Sequence, residues 1–549
     1  MLEIGKLFSH KPDHPMNSVA AARKILKKLD ESKPKPGPVE ALIQVEGWAN
    51  SLAGTDGFAC DDRFLIVAEI ESSGGRVVGE VFQEYLRHIH KRDQEQRTLY
   101  ESLHGYWSAV AAAYERCVVD HEAGESGATR LTQHLAIAVA RAIRAGEHAE
   151  RMSQLRYIGS GAELWKSPCR LFAYAEKMEV DHVSIVVHER EVHSTVRAEL
   201  LRMAAMSLAA LHELPPEQVE LAGRILERFA VSFAWSTEPS ADCNFVLDLA
   251  EGAAPRQRRP DEAASPAKRF FGGGPALPKL EEIGGLVEKD LLAEEARFGP
   301  EFSQAQIFSV IRHLLVYLGP NPPQRRFPRT VVTAPVTIIH GFTAISPCVT
   351  TLDAGSGAAI DDNLNVEQRK RSDVQLTAEA PDSEPEVWTT RDRSEWGLGV
   401  EIPQRLGAWA EPGVLCGGRD SEASPWWVGI IRSVEASEFG RMRCGLWIMS
   451  KRPIATHLRV IGNETHQLAN WETSSGGFKY SYLRALLLPD GVKAHDRPVM
   501  LIERQNIWIG ELYEIMAGEH TRHVRLMELI EEGADYMRVG FAWVAPGTP

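Results

Sequence analysis

The side chains best suited to bind a charged ligand stand in a short arginine-rich segment. Arg325, Arg326 and Arg329 precede a β-branched run at residues 330–332. A guanidinium group forms paired hydrogen bonds with phosphate oxygens or with O6 and N7 of guanine, and its plane stacks on bases. Pro328 stiffens the backbone between the arginines, so that they lose less conformational freedom when a ligand binds. The segment therefore predicts a site for an anion that carries flat polar rings.

A second segment further along the chain could recognise a guanine base. The carboxylate of Asp392 can accept hydrogen bonds from N1–H and the N2 amino group on the Watson–Crick edge of guanine, a pair of donors that adenine lacks. Ser394 can hydrogen-bond the ligand or cap the turn that follows. Gly397 would allow a close approach of the backbone or a positive φ.

Simple energetics show why both segments are needed. A hydrogen bond to a charged group contributes roughly 1.5–3 kcal/mol, so two arginines supply about 3–6 kcal/mol. Micromolar affinity requires about 8 kcal/mol. The remainder must come from base stacking and from the carboxylate, because the arginines alone would form only a weak anion site.

In chain order the two segments read RxxxR and DxSxxG. Together they resemble the nucleotide-binding signature of PilZ domains, the bacterial receptors for cyclic di-GMP, over about residues 321–450. The resemblance implies a small barrel in which the arginine segment wraps the nucleotide against the face that carries the second motif. It implies that the ligand-binding residues are Arg325, Arg329, Asp392, Ser394 and Gly397, with Arg326 as an auxiliary.

One departure from the family pattern concerns the spacing of the motifs. The 62 residues 330–391 separate Arg329 from Asp392, which is more than the family commonly places there. The excess, near residues 343–386, is rich in Gly, Ser, Asp and Glu and predicts a mobile loop inserted into the barrel. A loop that shielded the site would lower its affinity.

The chain offers no arrangement that predicts catalysis or a metal centre. His188 and His193 are five residues apart, whereas a helical zinc motif needs histidines four apart. The seven cysteines form no CxxC pair, which argues against a structural zinc site and a disulfide framework. We therefore expect a binding protein without enzymatic activity, metal or cofactor.

Composition limits the partners and the location. The 549 residues carry a net charge of −14, which disfavours general nucleic-acid binding. No apolar run is long enough to span a bilayer, and the first residues do not read as a signal peptide. Sparse, scattered cysteines fit a reducing compartment. These features predict a cytoplasmic protein.

Hydrophobic periodicity predicts a multidomain α+β chain. We expect an all-helical domain at 1–250, a linker and acidic helix at 251–300, a first antiparallel β-barrel at 301–450 and a second at 451–549, which could be PilZ-like without the motif. The Ala-, Pro-, Arg- and Gly-rich stretch 251–278 predicts a flexible linker. Strands of the second barrel are expected near residues 457–461, 482–488, 499–503, 508–515, 523–529 and 537–544.

The functional expectation is a cytoplasmic cyclic di-GMP receptor that signals by rearranging its domains, with the helical domain contacting a protein partner. The alternative is a scaffold or adaptor whose PilZ-like domain is vestigial. The long insertion and the large helical region favour that alternative, and the ordered pair of motifs favours the receptor.

Overall fold

The computed structural model describes most of the chain. The described residues are 12–31, 36–91, 93–159, 161, 163–188, 193–293, 298–324, 327–351, 359–360, 366–367, 384–402, 409–436, 441–461, 483–491, 497–505, 507–517 and 520–544. They divide into two compact units, Met1–Gln324 and Arg325–Pro549.

Helices build most of the first unit. Their bounds are α1 Val19–Glu31, α2 Pro38–Gly54, α3 Cys60–Arg87, α4 Gln94–Glu122, α5 Ala128–Leu131, α6 Leu135–Gln154, α7 Lys166–Lys177, α8 Val196–Leu208, α9 Pro216–Phe229, α10 Ala276–Glu288 and α11 Gln304–Leu318. Helix α4 packs against α2, α3 and α6 and is buried at the centre of one apolar core. Helix α11 begins at a capping box formed by Ser303 and Gln306, and its apolar residues join the same core. It belongs to the first unit, although the sequence analysis assigned it to the segment 301–450.

A buried network of ion pairs joins helices α6 and α8. On α6, Arg144 donates two hydrogen bonds to Glu199 of α8, at 2.9 and 2.7 Å. One turn further along α6, Glu147 accepts from Arg151 and, at 2.8 Å, from Arg202 of α8. Burial would raise the pKa of Glu147, but the guanidinium groups of Arg151 and Arg202 outweigh it and hold that pKa below its usual value.

The predicted flexible linker at 251–278 contains two strands of a small sheet, and the structure corrects that expectation. The sheet has the order β1 (Ala234–Ser236), β4 (Lys268–Gly272), β2 (Phe245–Asp248) and β3 (Arg256–Gln257). Phe270 and Phe271 of β4 are buried. Burial of these two rings stabilises the sheet, although the segment around them has a composition typical of loops. The predicted all-helical domain therefore also carries strands.

The first barrel of the second unit is closed and antiparallel. Its strands are β5 Thr330–His340, β9 Glu386–Arg393, β10 Gly397–Ile402, β11 Leu415–Arg419, β12 Trp427–Ala436 and β13 Met442–Ser450. Their order around the barrel is β10-β13-β12-β11-β5-β9, with β9 closing onto β10. Closure satisfies the backbone groups that an open sheet would leave at its edges.

The second barrel follows after three residues. Its strands are β14 Ile454–Val460, β15 Leu483–Leu487, β16 Val499–Glu503, β17 Leu512–Ala517, β18 His520–Glu532 and β19 Tyr536–Val544. They are ordered β15-β16-β19-β18-β17-β14, and pairing of β14 with β15 closes the ring. The predicted succession of a helical region and two antiparallel barrels is confirmed.

The two barrels share an apolar core. It contains Ile339 and Ile430 from the first barrel and Leu486 and Tyr536 from the second. The short helix α12, Phe342–Ile345, inserts Phe342 and Ile345 between them. The Phe342 amide also donates to a carboxylate oxygen of Asp535 at 2.5 Å. The barrels therefore form one packed body.

Helix α12 corrects the start of the predicted mobile insertion at 343–386. Residues 342–348 are helical, and α12 is buried in the shared core because Phe342 and Ile345 are apolar. Strand β6, Thr350–Thr351, then pairs in parallel with β14, and β7 (Ala359–Ile360) pairs with β8 (Val366–Glu367). Residues 352–358, 361–365 and 368–383 of the insertion lie outside the described residues.

None of the helices in the described ranges has both the length and the apolar character that a membrane-spanning helix needs.

Replacing Glu147 with glutamine tests the buried ion-pair network. Glutamine removes the carboxylate charge that Arg151 and Arg202 share inside the core, and it leaves only the longer pairs of Arg151 with Glu220 and of Arg202 with Glu199 and Glu227. Breaking a buried ion pair costs up to about 3–5 kcal/mol. We expect Glu147→Gln to lower the denaturation midpoint measured by helical circular dichroism. Glu163→Gln is the matched control, because its ion pair with Lys166 is exposed to solvent. An equal effect of both substitutions would contradict the account.

Acid should weaken the same network. The pKa values of Glu147 and Glu199 lie below the usual 4.5 because Arg151, Arg202 and Arg144 outweigh their burial. Their stabilising contribution is complete above pH 4.5 and declines as the pH falls toward the folded-state pKa values. Urea denaturation at stepped pH should therefore show a steeper acid loss for the native chain than for Glu147→Gln. Parallel pH curves would refute this linkage.

Candidate functional site

The closed topology of the first barrel places both sequence motifs at the same rim. Strand β5 begins next to the arginine segment, and β9 ends at the second motif. The two strands pair antiparallel, with Val331 opposite Asp392 and Thr330 opposite Arg393. The barrel therefore brings together two segments that the insertion separates in the chain.

A direct ion pair joins the motifs. The Nη1 atom of Arg329 donates to Oδ1 of Asp392 at 2.6 Å. The side chains remain 32% and 25% exposed, so solvent and a ligand can reach both. A pair this exposed contributes at most about 1 kcal/mol, so a ligand can replace it at little cost. Arg329 and Asp392 thus offer a cation and a hydrogen-bond acceptor side by side.

A break in the strand register lies next to this ion pair. The pairing of β5 with β9 shifts between Val331 and Ala334, which marks a bulge. Bulges bend a strand and redirect its side chains, and they are common at barrel rims and beside functional sites. Val331 is 83% exposed there, which is unusual for a large apolar residue. The rim beside Arg329 is therefore an irregular surface with an uncovered apolar side chain.

Gly399 makes room for the Asp392 carboxylate. The two residues are paired opposite each other on β10 and β9. A Cβ atom added at Gly399 would lie 2.6–2.7 Å from the Asp392 carboxylate atoms, closer than van der Waals contact allows. Sequence reasoning missed Gly399, and a glycine inside a strand was the available signal.

Ser394 and Gly397 shape the turn between β9 and β10. The Ser394 amide donates to the Gly397 carbonyl at 2.8 Å, and its hydroxyl lies 3.5 Å from the same oxygen. Gly397 has no positive φ, so that expected alternative does not apply. A Cβ atom at Gly397 would instead lie 2.7 Å from the Ser394 hydroxyl. Both residues therefore support the shape of the motif.

Arg393 is a further charged residue of this rim that sequence reasoning did not single out. It forms two hydrogen bonds with the Asp420 carboxylate, which ties the end of β9 to the loop after β11. The hydrogen bonds with Asp420 raise the pKa of Arg393. Arg325 and Arg326, the other predicted ligand residues, lie outside the described part of the chain.

The helical unit has a cavity of about 480 Å³ beside α7. Three cations, Lys166, Arg170 and Lys177, line it together with Glu122 and Glu251. Lys166 pairs with Glu163, and Arg170 pairs with Glu115 and Glu122. Two of the three cations that line this cavity therefore already pair with acidic side chains.

One side-chain group in the described helical region has metal-ligand spacing. Donor atoms of Glu84, His88 and Glu95 lie within 4.8 Å of one another. Each ring nitrogen of His88 faces a different carboxylate, at 3.4 Å from Glu84 and 3.7 Å from Glu95. The arrangement is that of a histidine between two acids on the surface, and it is unrelated to the barrel rim.

One family model matches part of the helical region. Residues 20–239 match the family model described as the N-terminal domain of the cyclic-di-GMP receptor FimW. The match covers helices α1 to α9, for which the sequence analysis assigned no role beyond a protein contact. A search of the curated proteins returned no match. The helical region of this chain is therefore similar to the N-terminal domain of a cyclic-di-GMP receptor family.

Proposed function

We propose that this chain is a cyclic di-GMP receptor and that the rim of its PilZ-like first barrel binds the dinucleotide. The observation that carries the proposal is the contact between Arg329 and Asp392, one residue from each motif. The family match of the helical region supports the same ligand from a separate part of the chain. The two arguments are independent because the match ends at residue 239.

The chemistry of the ligand assigns the roles. Cyclic di-GMP carries two phosphodiester charges and two guanine rings. Arg329 and Arg325 pair with phosphate oxygens or with the Hoogsteen edge of guanine, and Arg326 assists. Asp392 accepts from the Watson–Crick edge of a guanine once Arg329 has turned toward the ligand. Ser394 and Gly397 hold the turn that presents this carboxylate.

Signalling must follow from different affinities of the ligand for two arrangements of the protein. The shared apolar core makes the barrels respond as one body. We therefore expect the rearrangement to involve this body and the helical unit, which then presents a surface to a protein partner. A cytoplasmic location is part of the proposal, and the seven cysteines, all free thiols, fit a reducing compartment.

Isothermal titration of the full chain with cyclic di-GMP tests the proposal. We expect micromolar or tighter binding, and an affinity loss of about tenfold to a hundredfold for Arg325→Ala and Arg329→Ala, because each removes charged hydrogen bonds. The affinity of Arg329→Lys should lie between those of the native chain and Arg329→Ala, since lysine keeps the positive charge but cannot form the paired hydrogen bonds of a guanidinium group.

Arg441→Ala is the matched control. This arginine is exposed, pairs with Glu401 and precedes β13 at the opposite end of the barrel. Its removal should leave the affinity unchanged. A native chain that gives no heat at tens of micromolar would overturn the receptor proposal and favour the adaptor alternative.

A double-mutant cycle tests whether Gly399 acts through Asp392. Gly399→Ala should displace the carboxylate and weaken binding about as much as Asp392→Ala, by roughly tenfold or more. The double variant should bind no more weakly than Asp392→Ala alone, because both changes remove the same contact. Gly397→Ala should have a smaller effect, since its Cβ meets a hydroxyl that can rotate away. Additive losses would show that Gly399 acts by another route.

A further inference from the structure

A further cation lies at the same rim, on an aromatic ring of the DxSxxG motif. The Nζ atom of Lys451 lies 4.4 Å from the centre of the Trp396 ring. Trp396 directly precedes Gly397, and its carbonyl accepts from the Ile448 amide at 2.9 Å. The backbone of Trp396 is thus bonded to β13 at the start of β10, two residues after Ser394.

The backbone of Lys451 is hydrogen-bonded to a residue of the second barrel. This lysine is the first residue of the connection between β13 and β14. Its amide donates to Asp490 Oδ2 at 3.0 Å, and the hydroxyl of Ser450 donates to the other oxygen of that carboxylate. Asp490 follows β15. The backbone of Lys451 is therefore anchored, whereas its side chain is exposed to solvent.

These two side chains offer what the Arg329–Asp392 pair lacks. An indole face stacks on a guanine base, and an ammonium group pairs with a phosphodiester oxygen. An exposed cation on an aromatic ring is a weaker contact than a stacked base, so a base can displace it. In the free protein the lysine covers the ring that the base would occupy.

We propose that Trp396 stacks on one guanine ring of the bound dinucleotide and that Lys451 leaves the indole to pair with a phosphodiester group. The inference rests on the proposed function and adds two ligand-contacting residues to it. Because Asp490 anchors Lys451, the ligand then contacts the connection between the barrels. Ligand binding at the first barrel would thereby also change contacts made by the second barrel.

Two other aromatic–cation pairs show what a purely structural contact looks like. Arg419 lies 5.0 Å from the Trp426 ring, which packs against the shared apolar core. Arg522 lies 4.3 Å from the Trp543 ring, which packs against the core of the second barrel. Trp396 is instead partly exposed at the rim, where Lys451 lies over its ring.

The test is titration of full-length variants with cyclic di-GMP. Trp396→Leu should weaken binding by about tenfold, since stacking on an indole is removed, and Trp396→Phe should retain part of the affinity. Lys451→Met should weaken binding and reduce its salt dependence, whereas Lys451→Arg should preserve both. The matched control, Arg522→Met, removes a similar cation–indole contact away from the rim and should leave binding unchanged.

The outcomes separate this inference from the function on which it rests. If Trp396→Leu binds like the native chain while Arg329→Ala does not, the stacking role is wrong and the receptor proposal stands. If the native chain binds no cyclic di-GMP, both are wrong. The melting temperature of each variant shows whether the barrel remains folded, and the Trp396→Phe and Lys451→Arg variants decide the question if a larger substitution unfolds it.

Discussion

Closure of the first barrel is the constraint on which the candidate site depends. Arg329 directly precedes β5, and Asp392 is the penultimate residue of β9. The pairing of these two strands therefore brings both residues to the same rim. Arg329 and Asp392 then meet at 2.6 Å although 62 residues lie between them. An insertion of this length costs little once its ends are fixed by paired strands, because loop-closure entropy grows only slowly with length. The insertion is therefore compatible with an intact rim.

Electrostatics at the rim differ from those of the whole chain. The net charge is −14, yet Arg329, Arg393 and Lys451 lie on described parts of this surface, and Arg325 and Arg326 precede it in sequence. Such a distribution repels long polyanions while it retains a local site for a small one. Because the ion pair of Arg329 with Asp392 is exposed and therefore weak, a ligand loses little free energy when it displaces Asp392 from Arg329.

Much of the fold was predictable because strands and amphipathic helices leave periodic signals. Helix α11, for example, buries Ile307, Val310, Leu314 and Leu318, which recur at helical spacing in the sequence. The four-stranded sheet was missed because β3 and β4 are short and lie among Ala, Pro and Gly, so that only Phe270 and Phe271 marked them. The pairing of Arg144 with Glu199 was unpredictable for a different reason. Partners 55 positions apart meet only after the helices pack, and no local pattern records this.

The site shows the same division between local and long-range information. The motif residues could be named from the sequence because each motif is contiguous. Lys451 could not, since its contacts are with residues distant in the chain, and Gly399 was marked only as a glycine inside a strand.

This long-range packing limits how a signal can leave the rim. Trp447 lies opposite Gly397 on β13, and its ring is flanked by Arg432 at 4.8 Å and by Arg538 of the second barrel at 5.1 Å. Glu531 pairs with both arginines and accepts from Tyr536, which is buried in the shared core. A hinge between the barrels would have to break this network and expose that core. Under the proposed function, the less costly response keeps the barrels together, and a change at Gly397 reaches the second barrel through Trp447.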